Sequence, residues 1–251
     1  MWKCLVAALS LALAASAAAA DDKPYRVSLI GDGFDGNSWH TGVLVELAPG
    51  WKTYWRMPGE SGIPPEFTWM PSRPAVVEVQ FPTPARHVDK SGEAVGYETQ
   101  VLFPVTVTPE QPQSLDLKLD LFFAVCKDVC IPAQAQASIT LGTDQRDPLG
   151  SLRAETARAS VPGAGDAVTA AEIVSDGGKT VLKLALKERP EDIFVESTTS
   201  AYFRAPVLSD DGREARLIID SLSDPRKLKG QNITITYVIG GKGHEQTLTL
   251  P

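Results

Sequence analysis

Leu121-Phe122-Phe123-Ala124-Val125-Cys126-Lys127-Asp128-Val129-Cys130-Ile131-Pro132-Ala133 is the stretch on which the architecture of this chain turns. Its first five residues are apolar and run directly into Cys126. Cys130 follows after three intervening residues, and Pro132, which has no backbone N–H, interrupts any further ladder. The spacing predicts a strand end or tight hairpin at the cysteines, not a helix. Working outward, residues 114–125 read as the strand before the pair and 133–141 as the strand after it. Upstream, 25–30, 42–47, 51–55, 76–81 and 101–108 carry the same signal, separated by turn residues. In 51–55, Trp51 and Trp55 fall on one face and Tyr54 on the other. Met57-Pro58-Gly59-Glu60-Ser61-Gly62-Ile63-Pro64-Pro65 is incompatible with regular structure and reads as a shaped loop. Many short strands between turns predict an antiparallel β-sandwich.

Downstream the composition changes around 144–170. Asp147-Pro148 opens a predicted short helix over 149–159, and 161–166 reads as a linker. Strand signals resume at 180–186, 193–196, 216–220 and 232–239. The Gly240-Gly241-Lys242-Gly243 turn then leads to 245–250 as a terminal hairpin. The reading is all-β: a first sandwich over 21–145, a linker with the helix over 146–165, and a second, smaller sandwich over 166–251. A single sandwich with a long insertion is the alternative. At the N-terminus, Lys3 precedes an apolar run over 5–15, and Ala18-Ala19-Ala20 ends it before Asp21. This is the layout of a secretory signal peptide over 1–20, too short for a comfortable membrane span. No later segment approaches the length of such a span.

Over 251 residues, 43% are hydrophobic and 22% charged, the balance of a chain that buries a core. Twenty-four Lys and Arg against 31 Asp and Glu give a net charge of −7, which argues against a nucleic-acid binder. Cys4 leaves with the signal peptide, so export leaves two cysteines where disulfides form and persist; the simplest arrangement is one pair. As a structural staple the pair is worth little, since a loop of about five residues gains only about 2 kcal/mol in the chain-entropy account. A small loop also favours exchange. From spacing alone a redox pair, a staple and a metal site all stay open.

Other signals are weaker. His40, His87 and His244 lack metal-ligand spacing and read as ordinary surface or turn residues. Together with Met57 and Met70 they are at most accessory to a soft-metal site at the thiols. Asp32-Gly33-Phe34-Asp35-Gly36-Asn37 does not place oxygens as a calcium loop needs, and reads as a glycine-rich turn. Asn232-Ile233-Thr234 is a sequon inside a predicted strand. There is no Ser-His-Asp arrangement, phosphate loop or paired-acid signature.

Pro49-Gly50-Trp51-Lys52-Thr53-Tyr54-Trp55-Arg56, then Pro58-Gly59-Glu60-Ser61-Gly62-Ile63-Pro64-Pro65, Gly96-Tyr97-Glu98, Phe103-Pro104-Val105 and Ala124-Val125-Cys126-Lys127-Asp128-Val129-Cys130-Ile131-Pro132 stand in an order that resembles the N-terminal periplasmic domain of the DsbD/ScsB thiol:disulfide interchange family. The resemblance covers roughly 25–142 and is closer to the ScsB-like branch, which is associated with copper tolerance. It implies two immunoglobulin-like antiparallel β-sandwich domains, the second over 166–251. It also implies a redox-active pair at Cys126 and Cys130, taking electrons from a membrane-embedded donor of DsbD/ScsB or CcdA type. The electrons pass to a periplasmic thioredoxin-like protein; the relay needs no cofactor and no metal, although the copper-linked resemblance slightly favours Cu(I) at the thiols. The rival is a copper-binding or adaptor module whose cysteines are ligands or a staple.

Relatives continue into a membrane domain and a thioredoxin-like domain; 1–251 hold neither, so a separate membrane donor is expected. The family's cap loop carries an aromatic residue, whereas the matching stretch here, 88–94, has none; Tyr97 or an aromatic from another loop is the candidate substitute. By analogy Cys130 forms the mixed disulfide. Lys127 favours a thiolate and Asp128 opposes it. Trp51, Tyr54 and Trp55 read as core, for at least one face, or as the frame of a partner groove; Trp55 and Phe123 are the candidates for a partner-binding surface.

Overall fold

The structure is a computed structural model and describes residues 23–59, 62–89, 92–143, 147–199, 201–220 and 224–251. The signal-peptide reading lies outside these. The first ten strands are β1 (Tyr25–Phe34), β2 (Trp39–Leu47), β3 (Lys52–Gly59), β4 (Glu66–Pro71), β5 (Ala75–Val79), β6 (Ala85–Asp89), β7 (Gly92–Glu98), β8 (Gln100–Pro109), β9 (Leu115–Cys126) and β10 (Cys130–Leu141). Helix α1 (Pro148–Ala159) follows. Then come β11 (Gly163–Ala164), β12 (Val168–Asp176), β13 (Lys179–Leu186), β14 (Asp192–Ser197), β15 (Tyr202–Phe203), β16 (Val207–Leu208), β17 (Glu214–Asp220), β18 (Asn232–Ile239) and β19 (Lys242–Thr249).

The fold is all-β and antiparallel apart from a short parallel pairing of β11 with β19. One pair of sheets has the orders β1-β2-β8-β5 and β10-β9-β3-β7-β6, with β4 also on β9. The other has β11-β19-β18-β14 and β12-β13-β17-β15, with β16 on β17. Alternation explains the first core. In β9, Leu115, Leu117, Leu119, Leu121, Phe123 and Val125 all point inward and are buried. Val101, Phe103, Val105 and Val107 of β8 meet them from the facing sheet. Each such side chain contributes about 1.5–3 kcal/mol relative to exposure. A second core gathers Leu182, Leu184, Ile193, Leu217, Ile233 and Ile235.

Asp147 caps α1 by accepting from the Leu149 N–H, and Pro148 takes the first turn, as the sequence predicts. The helix packs on β1 and β8 of the first pair of sheets. Its Gly150 sits against β1 so closely that an added Cβ would lie 1.9 Å from the Gly31 carbonyl oxygen. Of the stretch 32–37 read as a glycine-rich turn, residues 32–34 belong to β1, and the turn begins at Asp35. Asp35 accepts from the Asn37 and Ser38 N–H groups, both at 2.8 Å, and Gly36 adopts φ +103°.

Candidate redox site

The site begins with strand register. Cys130 at the start of β10 lies directly opposite Cys126 at the end of β9, and the two form a disulfide across the hairpin mouth. Lys127, Asp128 and Val129 make the exposed turn between them. Because odd residues of β9 fill the main core, even residues face away from it. Ala124 and Cys126 therefore reach the outer face of their sheet, where Tyr54 of β3 joins them in a small separate cluster. The Thr53 hydroxyl locks β3 to β9 by donating to the Ala124 carbonyl at 2.9 Å.

Two segments close over this cluster. The loop after β3 returns so that Gly62 packs on Tyr54 and Pro58; a Cβ there would lie 2.5 Å from both Pro58 Cβ and Tyr54 Cδ1. Ile63 beside it, and Ala94 of β7, pack against Tyr54, Ala124 and Cys126. Gly96 pairs with Tyr54 in register, and a Cβ there would meet the Thr53 carbonyl oxygen at 2.0 Å. Only glycine permits that approach of β7 to β3.

The two sulfurs differ. Cys126 is 5% exposed, whereas Cys130 is an exposed residue. The buried Tyr54 hydroxyl lies 3.1 Å from Cys130 Sγ. A disulfide sulfur carries no proton, so the phenol is the donor. Chemically this is an accessible sulfur with a fixed hydrogen-bond donor, backed by a shielded one. Val129 of the turn is exposed beside it, and Phe122 and Ile131 are exposed further along the hairpin.

The residues singled out in the sequence fall in different places. Cys126, Cys130, Lys127 and Asp128 come together as read. Lys127 reaches over Gly50, whose added Cβ would lie 3.2 Å from the Lys127 Cε. Trp55 and Phe123 are corrections. They are 0% and 1% exposed and belong to the first core, so neither can form a partner surface. Strand alternation points both inward; the exposed aromatic on β9 is the neighbouring Phe122. Tyr97 is a correction too. It is buried against Phe103 with its hydroxyl donating to the Pro82 carbonyl at 2.8 Å, and burial pushes its phenol pKa up. The aromatic on the cysteines is Tyr54. Of the 88–94 stretch, Ala94 reaches the cluster while Val88 is exposed. His40 contacts Asp35 at 2.9 Å, His87 contacts Glu98 at 3.1 Å, and His244 stacks on Tyr237. Among the described residues no three His, Cys, Asp or Glu side chains group as metal ligands.

The site is thus a disulfide across the exposed mouth of a β-sandwich hairpin, backed by a phenol. Residues 20–141, which hold the first pair of sheets, match the family described as "Thiol:disulfide interchange protein DsbD, N-terminal". Along most of its length the chain is similar in fold to the crystal structure of the N-terminal periplasmic domain of ScsB from Proteus mirabilis. The TM-score is 0.69 at 21% identity, covering 88% of this chain and 91% of that one. The likeness therefore includes the second pair of sheets. No curated protein matches the chain. Among the described residues no helix is long and apolar enough to cross a membrane.

Proposed function

We propose that the protein is a periplasmic thiol–disulfide relay working through Cys126 and Cys130. In the reduced protein the Cys130 thiolate attacks one sulfur of a partner disulfide and forms a mixed disulfide, releasing one partner thiolate. The Cys126 thiolate then attacks Cys130 Sγ and expels the second partner thiolate. The protein is left as the disulfide, and two electrons and two protons have passed to the partner as its dithiol. A membrane-embedded donor of DsbD/ScsB or CcdA type restores the thiols, and the acceptor is a thioredoxin-like protein. The single observation that carries this reading is the asymmetry of the pair: Cys130 exposed beside the Tyr54 hydroxyl at 3.1 Å, Cys126 shielded. The exposed apolar Val129, in the turn beside Cys130, supports partner docking at the exposed sulfur. With it we propose the organisation 1–20 signal peptide, 21–145 relay domain, 146–165 connecting segment and 166–251 second domain.

The test is trapping. Purified Cys126→Ser protein, mixed with an oxidised thioredoxin-like protein, is expected to accumulate a mixed disulfide through Cys130, while Cys130→Ser does not. Accumulation only with Cys130→Ser would reverse the assignment. Accumulation with neither, in folded variants, would remove the relay reading.

A further inference from the structure

The second pair of sheets does not stand apart from the redox site. Phe194 of β14 is a member of the first core, its ring 5.7 Å from Trp55 in a T-shaped contact. The Arg86 guanidinium of β6 lies 4.9 Å over Phe194, and the Arg56 guanidinium of β3 lies 4.4 Å over Trp55. Arg56 pairs with Glu196 at 2.7 Å and with Glu245 of β19. Arg86 pairs with Glu93 of β7 and with Asp192 at 3.0 Å, and donates to the Ile193 carbonyl at 2.8 Å. Tyr202 donates to Glu93 at 2.6 Å.

Three of the four first-half residues in these contacts, Trp55, Arg56 and Glu93, sit next to members of the cysteine cluster in sequence. Trp55 and Arg56 directly follow Tyr54, and Glu93 directly precedes Ala94. β3 is poorly laddered there. Among the described residues it pairs with β9 only at Lys52 and Thr53. Its pairing with β7 runs through Tyr54 and resumes only at Gly59. The segment carrying Trp55 and Arg56 is thus held from outside its own sheet. The Arg86 and Glu93 side chains are 11% and 12% exposed. Withdrawing the second pair of sheets would leave this pair to each other but strip Arg86 of Asp192 and the Ile193 carbonyl, and Glu93 of the Tyr202 hydroxyl.

We infer that Phe194, Glu196 and Glu245 are positioning residues: the second pair of sheets clamps β3 and thereby fixes the Tyr54 hydroxyl on Cys130. This rests on the reading of the pair as an exchanging one. It gives residues 166–251 a part in the chemistry without touching the sulfur.

The experiment uses the full exported chain with Cys126→Ser, so that a single thiol reports. The rate of alkylation of Cys130 by iodoacetamide is followed against pH, which yields the thiol pKa. Lys52, Lys127 and Asp128, the charged groups of the hairpin mouth and its paired strand, stay the same in every variant. Removing a hydrogen bond to the thiolate by Tyr54→Phe is expected to raise that pKa by about 0.5–1 unit. Glu196→Gln with Glu245→Gln is expected to raise it in the same direction. In the Tyr54→Phe background the same two substitutions should move it no further, the non-additivity of a coupled chain. Phe194→Leu, which keeps the apolar fill, provides a second variant with the same expectation should the double substitution unfold. A folded double or Phe194→Leu variant with an unmoved pKa, or a shift that persists in full without the Tyr54 hydroxyl, overturns the clamp. If glutathione never opens the disulfide of the unsubstituted protein, the exchange reading falls and the clamp with it. If glutathione opens it and the cycle is additive, the clamp alone falls.

Discussion

One hydroxyl and two missing side chains shape the site. Tyr54→Phe keeps the ring that packs on Ala124 and Cys126 and removes only the donor to Cys130. Its thermal stability should change by no more than about 1.5 kcal/mol, while a less acidic Cys130 appears in the alkylation profile. Gly62→Ala acts from the other side of the ring. Its Cβ would lie 2.5 Å from both Pro58 and Tyr54, and overpacking of this kind costs about 1–3 kcal/mol. The loop must lift, so a lower melting temperature should come with faster reduction of the disulfide by glutathione; unchanged values of both would contradict the packing. The place of the cysteines at a hairpin mouth and their pairing were legible in the sequence because their spacing and flanking apolar run are local. Tyr54 was half legible. The alternation of Trp51, Tyr54 and Trp55 already put it on the opposite face, but nothing local revealed that Cys126 shares that face. Trp55 and Phe123 were misread because an aromatic near a motif looks available until the parity of its strand is known.

At the scale of elements, α1 gives a prediction whose sign is decided by packing. An exposed helical Gly→Ala ordinarily gains about 1 kcal/mol. Gly150→Ala should instead lower stability, because its Cβ would strike the Gly31 carbonyl oxygen of β1 at 1.9 Å. Equilibrium urea unfolding measures this, and a stabilised variant would mean the helix does not rest on β1. The β1–β2 turn gives a pH dependence. Hydrogen bonds from the Ser38 and Asn37 amides, then from His40, hold the Asp35 carboxyl down to about 2 from 3.8. With the folded pKa below the unfolded one, this contribution is present above about pH 4 and is lost as pH falls through about 2. The Ser38 amide resonance should titrate over that window and be insensitive in Asp35→Asn. Strands with strong alternation, such as β9 and β18, were legible from the sequence alone. β4, β6, β7 and β12 were not. The prolines bounding β4 read as loop, 88–94 has no apolar run, and β12 carries Thr169, Ala170, Ala171 and Glu172, whose small or polar side chains give no period.

At the scale of the molecule, Phe194 belongs by sequence to the second half and by packing to the first core. Phe194→Ala should cost about 3–5 kcal/mol. Because the two halves share this ring and the Arg86 pairs, scanning calorimetry of the intact chain should give one cooperative transition. Two well-separated transitions in the unsubstituted protein would contradict the joint core. No local pattern in 193–196 announced this role. A lone aromatic in a short apolar strand reads as core, and which core it serves is fixed only by tertiary contact.

The central claim, that Cys126–Cys130 is an exchanging pair and not a staple, is tested most directly by its reduction potential, measured by equilibrating the folded protein against glutathione. Rapid equilibration is expected at about −180 to −270 mV, in the range of thiol–disulfide exchange proteins. A potential below about −300 mV, with a bond that stays closed while the protein is folded, would contradict it and leave the disulfide a structural one.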